Sequence, residues 1–325
     1  MRSFHCILRA ITLVAAAVCS TQIAVAAAQA YPQRPVRVIV PSATGAATDV
    51  VARLLAQKLT AQFGKPFIVD NRPGAGNVIG TDLVAKALPD GHTIGLVYTP
   101  HTVNASLQAK LPFDPIGDFA AVTMLTSAPL VLAVTASLPV HSFRDLVALA
   151  KTRPLAYGSA GIGSGGHMSG ELMRMMTGLS LTHVPHKGAA PASIDVAAGN
   201  LAFQFASQIT LQPLLTSNRL RAIAVTSARR AASLPDVATV VESGYPDFVV
   251  LNWLGVLAPA KTPRATIDLL HASIGKILQM HDVRERLTGE GSEIVGSTPE
   301  EFTRFLKDDL VKWAKVVKAA GIRLD

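Results

Sequence analysis

Between residues 36 and 99, short β-branched runs alternate with helical periods, and that alternation admits few folds. Val36 to Val40 reads as a strand ended by Pro41. Val51, Leu54, Leu55 and Leu59 recur at helical spacing until Gly64 stops them. Phe67 to Val69 reads as a second strand, and Asn71-Arg72-Pro73-Gly74-Ala75-Gly76 as a loop. Val78 to Leu88 is the next helix, with Pro89-Asp90-Gly91 as its stop, and Thr93 to Thr99 is a third strand. A βαβαβ order of this kind is the signature of a parallel, doubly wound sheet.

A second unit follows. Strands are expected at Leu130 to Thr135, Leu155 to Ser159, Leu181 to Val184, Leu201 to Phe205 and Leu220 to Thr226. Helices are expected from Ser142 to Lys151, from Gly166 to Thr177 and near Ala192 to Ala198. The last part reads as helical. Thr298-Pro299-Glu300-Glu301 is a capping box with proline at the first helical position. Phe302, Phe305, Leu306, Leu310, Trp313 and Val317 then form one apolar face, and Gly321 ends it. Two α/β lobes with the chain crossing between them are the natural architecture. Crossings near Leu125–Leu132 and Val249–Pro259 give residues 31–129 with 252–325 as the first lobe and 130–251 as the second.

The first 30 residues stand apart from this pattern. Arg2 and Arg9 make a positive start, Ala10 to Val18 is apolar, and Ala26-Ala27-Ala28 and Ala28-Gln29-Ala30 fit a small-x-small cleavage site. This predicts a secretory signal peptide cleaved near Ala28 or Ala30, and so a periplasmic protein. A lipoprotein reading through Cys19 is weaker, because Ala16 and Val18 stand where a lipobox wants Leu and a small residue. Cleavage removes both cysteines, Cys6 and Cys19, and lowers the formal charge from +8 to +6. Disulfides, cysteine nucleophiles and iron–sulfur clusters are then excluded. The basic residues are scattered, with no run of five like charges, so a nucleic-acid partner is not expected. Phe119 to Val140 carries no charge but contains Pro129 and Pro139. Two buried strands separated by a break are expected there, rather than a membrane span.

Two strand-to-helix turns could carry function. One is Pro41-Ser42-Ala43-Thr44-Gly45-Ala46-Ala47-Thr48-Asp49, the other Gly158-Ser159-Ala160-Gly161-Ile162-Gly163-Ser164-Gly165-Gly166-His167. In open α/β sheets ligands bind at carboxyl ends of strands, and a helix N-terminus favours an anion. Neither turn contains Lys or Arg, so an anion there would be met by N–H groups, hydroxyls and helix dipoles. Tight turning alone also explains small residues, but two such turns, one per lobe, favour function. Gly161, Gly163 and Gly166 match G-x-G-x-x-G, but His186 and Lys187 stand where a dinucleotide site wants an acid, so no cofactor is expected. No G-x-S-x-G elbow, Walker A or H-E-x-x-H motif occurs. His183 and His186 on an extended segment read as satisfied or solvent-facing histidines rather than metal ligands. His167 either donates to a ligand or caps its own helix. Asp49 reads as a first-turn acid in the helix dipole, and Arg72 as one half of an ion pair.

Tyr31-Pro32-x-Arg34-Pro35-Val36-Arg37 and Asp70-Asn71-Arg72-Pro73-Gly74-Ala75-Gly76 resemble signatures of the Bug solute-binding proteins. These are receptors of tripartite tricarboxylate transporters. Further matches run in order along the chain. They are Gly80-Thr81-Asp82, Leu111-Pro112-Phe113-Asp114-Pro115, Tyr157-Gly158-Ser159-Ala160-Gly161 with His167, and His183-Val184-Pro185-x-Lys187-Gly188. Ala224-Val225-Thr226-Ser227, Leu234-Pro235-Asp236-Val237 and Trp313 to Ile322 complete the series. The resemblance implies a two-lobed, type II periplasmic binding protein fold, each lobe a mainly parallel sheet flanked by helices. It implies a small carboxylate in the cleft, integral-membrane transporter subunits as partners and a monomer. Carried over, it points to Ser42, Thr44, Gly45, Ala46, Ala47 and Thr48 in one lobe and to Ser159, Ala160, Gly161, Ser164 and His167 in the other. Thr99, Asn104, Ala206 and Ser207 are weaker candidates.

Three departures bear on the ligand. Ser42 replaces the family's Phe and Ala46 its second Gly, His186 replaces Tyr, and Ala206 stands where many members carry Asp. Losing that acid removes one partner for a ligand amine, so a carboxylate without a required amino group is expected. The leading function is a binding module that closes over its ligand and delivers it. A sensor presenting ligand to a membrane receptor uses the same closed form. A periplasmic hydrolase or isomerase built on His167 with Ser159 or Ser164 requires an orienting acid, for which Glu171 at i+4 is the nearest in sequence.

Overall fold

The computed structural model describes residues 31–322 apart from 109, 289 and 290. The signal-peptide reading, with Cys6 and Cys19, lies outside the described residues. Strands β1 (Val36–Val40), β2 (Phe67–Asn71) and β3 (Thr93–Tyr98) alternate with helices α1 (Ala47–Phe63) and α2 (Val78–Ala85). β1 lies parallel to both β2 and β3, with Val38 opposite Val69 and Ile94. α1 buries Ala52, Leu55, Ala56 and Leu59 on this sheet and ends at Gly64, whose φ of 65° is the left-handed cap the sequence predicts. α3 (Pro100–Leu107) follows β3 directly.

β4 (Phe119–Thr135) corrects the expectation of a break. It is one strand of 17 residues whose partners change along its length. Residues up to Pro129 pair with β9 (Leu251–Pro259), and those from Leu130 onward pair with β7 (Phe203–Ser207) and β8 (Leu220–Val225). Pro129 has no N–H to give, and it sits where one set of partners ends and the other begins, so its missing donor interrupts neither ladder. Two register shifts against β9 bend the strand.

α4 (Phe143–Thr152), β5 (Leu155–Ser159), α5 (Gly165–Thr177), β6 (Leu181–Pro185) and α6 (Ala189–Ala197) build the second unit around β7. Ser142 caps α4 by accepting from the Asp145 N–H, as its position predicts. α7 (Gln208–Thr216) has no counterpart in the sequence reading; its Pro213 obscures a short helix. Among the described residues the sheet runs β2-β1-β3-β9-β4-β7-β5-β6, with β8 and β10 (Glu293–Ile294) also on β4. The parallel order expected holds for β2-β1-β3 and β6-β5-β7. The connecting strands β4 and β9 run against their neighbours, so the sheet is mixed.

α8 (Arg264–Leu278), α9 (His281–Thr288) and α10 (Pro299–Ala320) close the chain. The capping box on Thr298 and Glu301 forms as predicted. α10 spans both halves. Phe302 and Leu306 pack with Ile39, Val97 and Trp253, whereas Trp313, Val316 and Val317 join the core of Leu132, Tyr157, Phe203 and Phe248. Each such buried side chain contributes about 1.5–3 kcal/mol of transfer free energy. Val103 and Leu107 of α3 belong to that same core. Between them, buried Asp309 ties three elements. It accepts from Thr102 Oγ1 at 2.6 Å and Trp313 Nε1 at 3.0 Å, with Trp253 Nε1 at 3.4 Å and the Lys312 ammonium at 2.6 Å. No helix among the described residues is long and apolar enough to cross a membrane.

Candidate functional site

The turn after β1 opens α1 without a side-chain cap. Ala46 at the cap position offers no acceptor, so the helix's first N–H groups have no side-chain partner. The turn is held by a carboxylate of the helix's first turn instead. Asp49, buried in the first turn, accepts from the Gly45 N–H at 2.9 Å, Arg53 Nε at 3.0 Å and Asn71 Nδ2 at 3.0 Å. Burial alone would push the Asp49 pKa up. The hydrogen bonds from Arg53, Gly45 and Asn71 outweigh it and hold the carboxyl below its ordinary value. Asn71 also donates to the Ser42 carbonyl at 3.2 Å. The hydroxyls of Ser42 and Thr48 bond each other.

The Asn71–Gly76 loop is therefore a brace. Arg72 pairs with Asp70 at 2.9 Å, the ion pair expected, and Arg37 shares the same carboxylate. Asn104 on α3 donates Nδ2 to the Gly76 carbonyl, which makes it a strut for the loop. The hydroxyls of exposed Thr44 and buried Thr99 have no hydrogen-bond partner among the described residues.

The turn after β5 is built from its own side chains. Ser164 caps α5 by accepting from the His167 N–H at 3.3 Å and donates to the Gly161 carbonyl at 2.7 Å. His167 Nδ1 accepts from the Gly163 N–H at 3.1 Å. The ring thus closes its own turn and, when neutral, carries its proton on Nε2. Ser159 Oγ accepts from the Gly161 N–H at 3.1 Å and meets His183 Nε2 at 2.6 Å. The imidazoles of His167 and His183 stack with centroids 4.0 Å apart, and His183 stacks in turn on Tyr157 at 5.1 Å. Burial lowers the pKa of both histidines. His183, which also faces His167, falls to about 4, so both rings are neutral at pH 7.

The pairings differ from those a hydrolase needs. Ser159 meets His183, not His167. Glu171 accepts from Tyr157 Oη at 2.9 Å and Arg174 Nε at 2.7 Å, so it orients neither ring by a hydrogen bond. His186 bonds Asp195 at 2.9 Å and the Val184 carbonyl at 3.1 Å, a satisfied histidine as expected. Among the described residues no three His, Cys, Asp or Glu side chains are grouped to hold a metal.

Two contacts join the second turn to the first half. A Cβ on Gly163, whose φ is +78°, would lie 2.8 Å from Leu107 Cδ1 of α3. A Cβ on Gly165, the first residue of α5, would lie 2.8 Å from Asn252 Oδ1 of β9. Exposed Ala160 and the half-buried Gly161 sit on the same turn. Ala206 lies opposite Val131 at the end of β7, and Ser207 bonds Thr210 at 2.8 Å as α7 begins. No hydrogen bond joins the Ser42–Thr48 turn to the Ser159–His167 turn among the described residues. The sequence reading missed His183 as the partner of Ser159. The parallel register that sets Tyr157 beside His183 is what brings them together, and a segment read as merely extended does not reveal it. It also missed Asn71 as a brace and Asn252 as a neighbour of the second turn.

Two uncapped or self-capped helix starts, hydroxyls and neutral imidazoles, with no Lys or Arg in either turn, suit an anion held by N–H and O–H groups. A family model described as the tripartite tricarboxylate transporter family receptor matches residues 51–322. BugT of Bordetella pertussis is 37% identical over 91% of this chain and 92% of its own length. A Rhodopseudomonas palustris protein solved with adipate is 35% identical, with a TM-score of 0.75 over 90% of this chain and 99% of that one. MatC from Rhodopseudomonas palustris, solved with bound malate, is 29% identical, with a TM-score of 0.71 over 88% of this chain and 100% of its own.

Proposed function

The chain belongs to the tripartite tricarboxylate transporter receptor family, and from that premise we propose that it captures a small organic carboxylate and hands it to integral-membrane transporter subunits. The observation that carries this reading is the pair of strand-to-helix turns, each opening a helix at the carboxyl end of a parallel strand. Both present N–H and O–H donors without a fixed positive charge, which suits a carboxylate. The adipate and malate held by two relatives are acids of that class and lack an amine. Ala206 leaves the end of β7 without an acid, so a ligand amine is not required. The proposed ligand-binding set draws on Ser42, Thr44 to Thr48, Thr99 and Asn104 from one lobe and on Ser159 to Gly161, Ser164, His167, Ala206 and Ser207 from the other.

The lobes are residues 31–129 with 252–325, and 130–251, in a monomeric periplasmic protein released from its signal peptide near Ala28 or Ala30. Ligand bridging the lobes shifts the population toward a closed state that the membrane partner recognises. On this reading the ligand is released unchanged; Glu171, the acid nearest His167 in sequence, is engaged by Tyr157 and Arg174. Thermal melting of residues 31–325 after unfolding and refolding tests the reading. The panel holds mono-, di- and tricarboxylates, amino acids and sugars. A ligand at 100 times its Kd adds about 2.7 kcal/mol and raises the midpoint by several degrees. A midpoint raised by a dicarboxylate and not by sugars is the expected result. A midpoint that responds only to a sugar, or to no acid at all, overturns it.

A further inference from the structure

Asn252 is a polar side chain on the returning strand whose position no part of the turn architecture requires. It is the second residue of β9 and lies opposite Ala128 of β4, one residue before the Pro129–Leu251 pair where β4 leaves β9. Its backbone therefore belongs to the crossing. Its Oδ1 lies against Gly165, the first residue of α5, close enough that a Cβ there would come within 2.8 Å. With Oδ1 placed there, the two amide N–H donors have no acceptor among the described residues. The side chain is half-buried, and a half-buried donor pair without an acceptor is open to a ligand oxygen. Ser164, which caps the same helix, is already committed to the His167 N–H and the Gly161 carbonyl.

We infer that Asn252 is a ligand-binding and specificity-determining residue: a half-turn of its amide exchanges Oδ1 for Nδ2 beside Gly165, so that it donates from the crossing strand to a carboxylate oxygen at the start of α5. The inference rests on the cleft reading above. It adds a donor that belongs to neither turn, placed at the segment where the chain passes between the halves. An amide also discriminates by charge. It donates to an anion without supplying an acid, whereas aspartate at the same place repels a carboxylate and accepts from an amine.

The test is calorimetric titration of adipate, malate and aspartate into residues 31–325, as wild type, Asn252→Asp and Asn252→Ala. Unliganded melting points confirm folding, and Asn252→Ser serves if the aspartate variant does not fold. Asn252→Asp, nearly isosteric, is expected to weaken the amine-free acid by about 30-fold or more, and Asn252→Ala by several-fold. The ratio of aspartate to malate affinity should move toward aspartate by about tenfold in Asn252→Asp and stay in place in Asn252→Ala. Folded variants that bind the dicarboxylate within twofold of wild type overturn the inference while leaving the carboxylate reading standing. A wild type that binds none of the three acids, and whose midpoint no carboxylate of the wider panel raises, overturns both.

Discussion

The two strand-to-helix turns have the same outline and fill their polar valences in opposite ways. The first has no acceptor at its cap and is held by Asp49 of its own first turn, braced from outside by Asn71, so its helix carries no side-chain cap. The second is satisfied mostly from within, with Ser164 on the helix cap and His167 on Gly163, and Ser159 alone reaches out to His183 of β6. The difference shows that a small-residue turn by itself does not define an anion site. What matters is which N–H groups the protein's own side chains have already taken. On the proposed function, the first turn is the open cradle, and the second is a preorganised wall that offers what its internal bonds leave over.

The comparison can be broken most severely at Asp49. Asp49→Ala leaves the Gly45 N–H without its acceptor and the Asn71 amide with the Ser42 carbonyl alone. It should cost about 2–3 kcal/mol in urea unfolding, together with ligand binding, because the brace of the first turn is gone. A loss below about 0.5 kcal/mol would mean the loop holds the turn without it.

Acid should act on the second turn. His183 has a folded pKa of about 4, set by burial and then by His167, against 6.5 ordinarily. The unfolded chain takes up the proton first as pH falls, so stability present above about 6.5 is lost on the way to about 4. A shift of that size is worth about 3 kcal/mol at most, and partial exposure reduces it to about 1–2 kcal/mol. His101, buried between Phe113 and Phe119 and likewise near 4, adds to the same slope from outside both turns. The measurement is therefore the difference between wild type and His183→Gln, melted from pH 7 to 4.5. Parallel curves would show that His183 does not titrate differently in the fold.

The smallest effect sharpens the contrast by exchanging caps. Ala46→Ser gives the first helix the cap it lacks and should stabilise the protein by about 1 kcal/mol while weakening carboxylate binding, since the new hydroxyl competes for the same N–H groups. Ser164→Ala should cost about 1 kcal/mol at the second. Melting points and titration of the pair read both terms, and tighter binding by Ala46→Ser would contradict the open-cradle assignment.

Local chemistry made much of this legible beforehand. Strand runs, glycine caps at Gly64 and Gly321 and the capping box at Thr298 all follow from residues within a few positions of one another. So does the placing of both turns at strand ends. Legibility fails where partners are distant in sequence. β4 reads as broken at Pro129 because nothing nearby reveals that its partners change there. Asp309 interrupts the apolar face of α10, and its burial makes sense only once Thr102 and Trp253 are beside it. Within the candidate site the same limit applies: Ser159 finds His183 across a parallel ladder, and Asn252 reaches Gly165 from far along the chain.

The unbroken run of β4 past Pro129, beside the start of β9, gives the crossing a mechanical character. A loop between lobes behaves as a swivel, free to turn in several directions at little cost. Paired strands behave as a flexure: they bend across the face of the sheet and resist stretching or sliding along their hydrogen bonds. On the proposed closure, such a joint confines movement chiefly to one arc and carries its own restoring force. α10, anchored by Phe302 in one core and Trp313 in the other, ties the same two halves as a second ply.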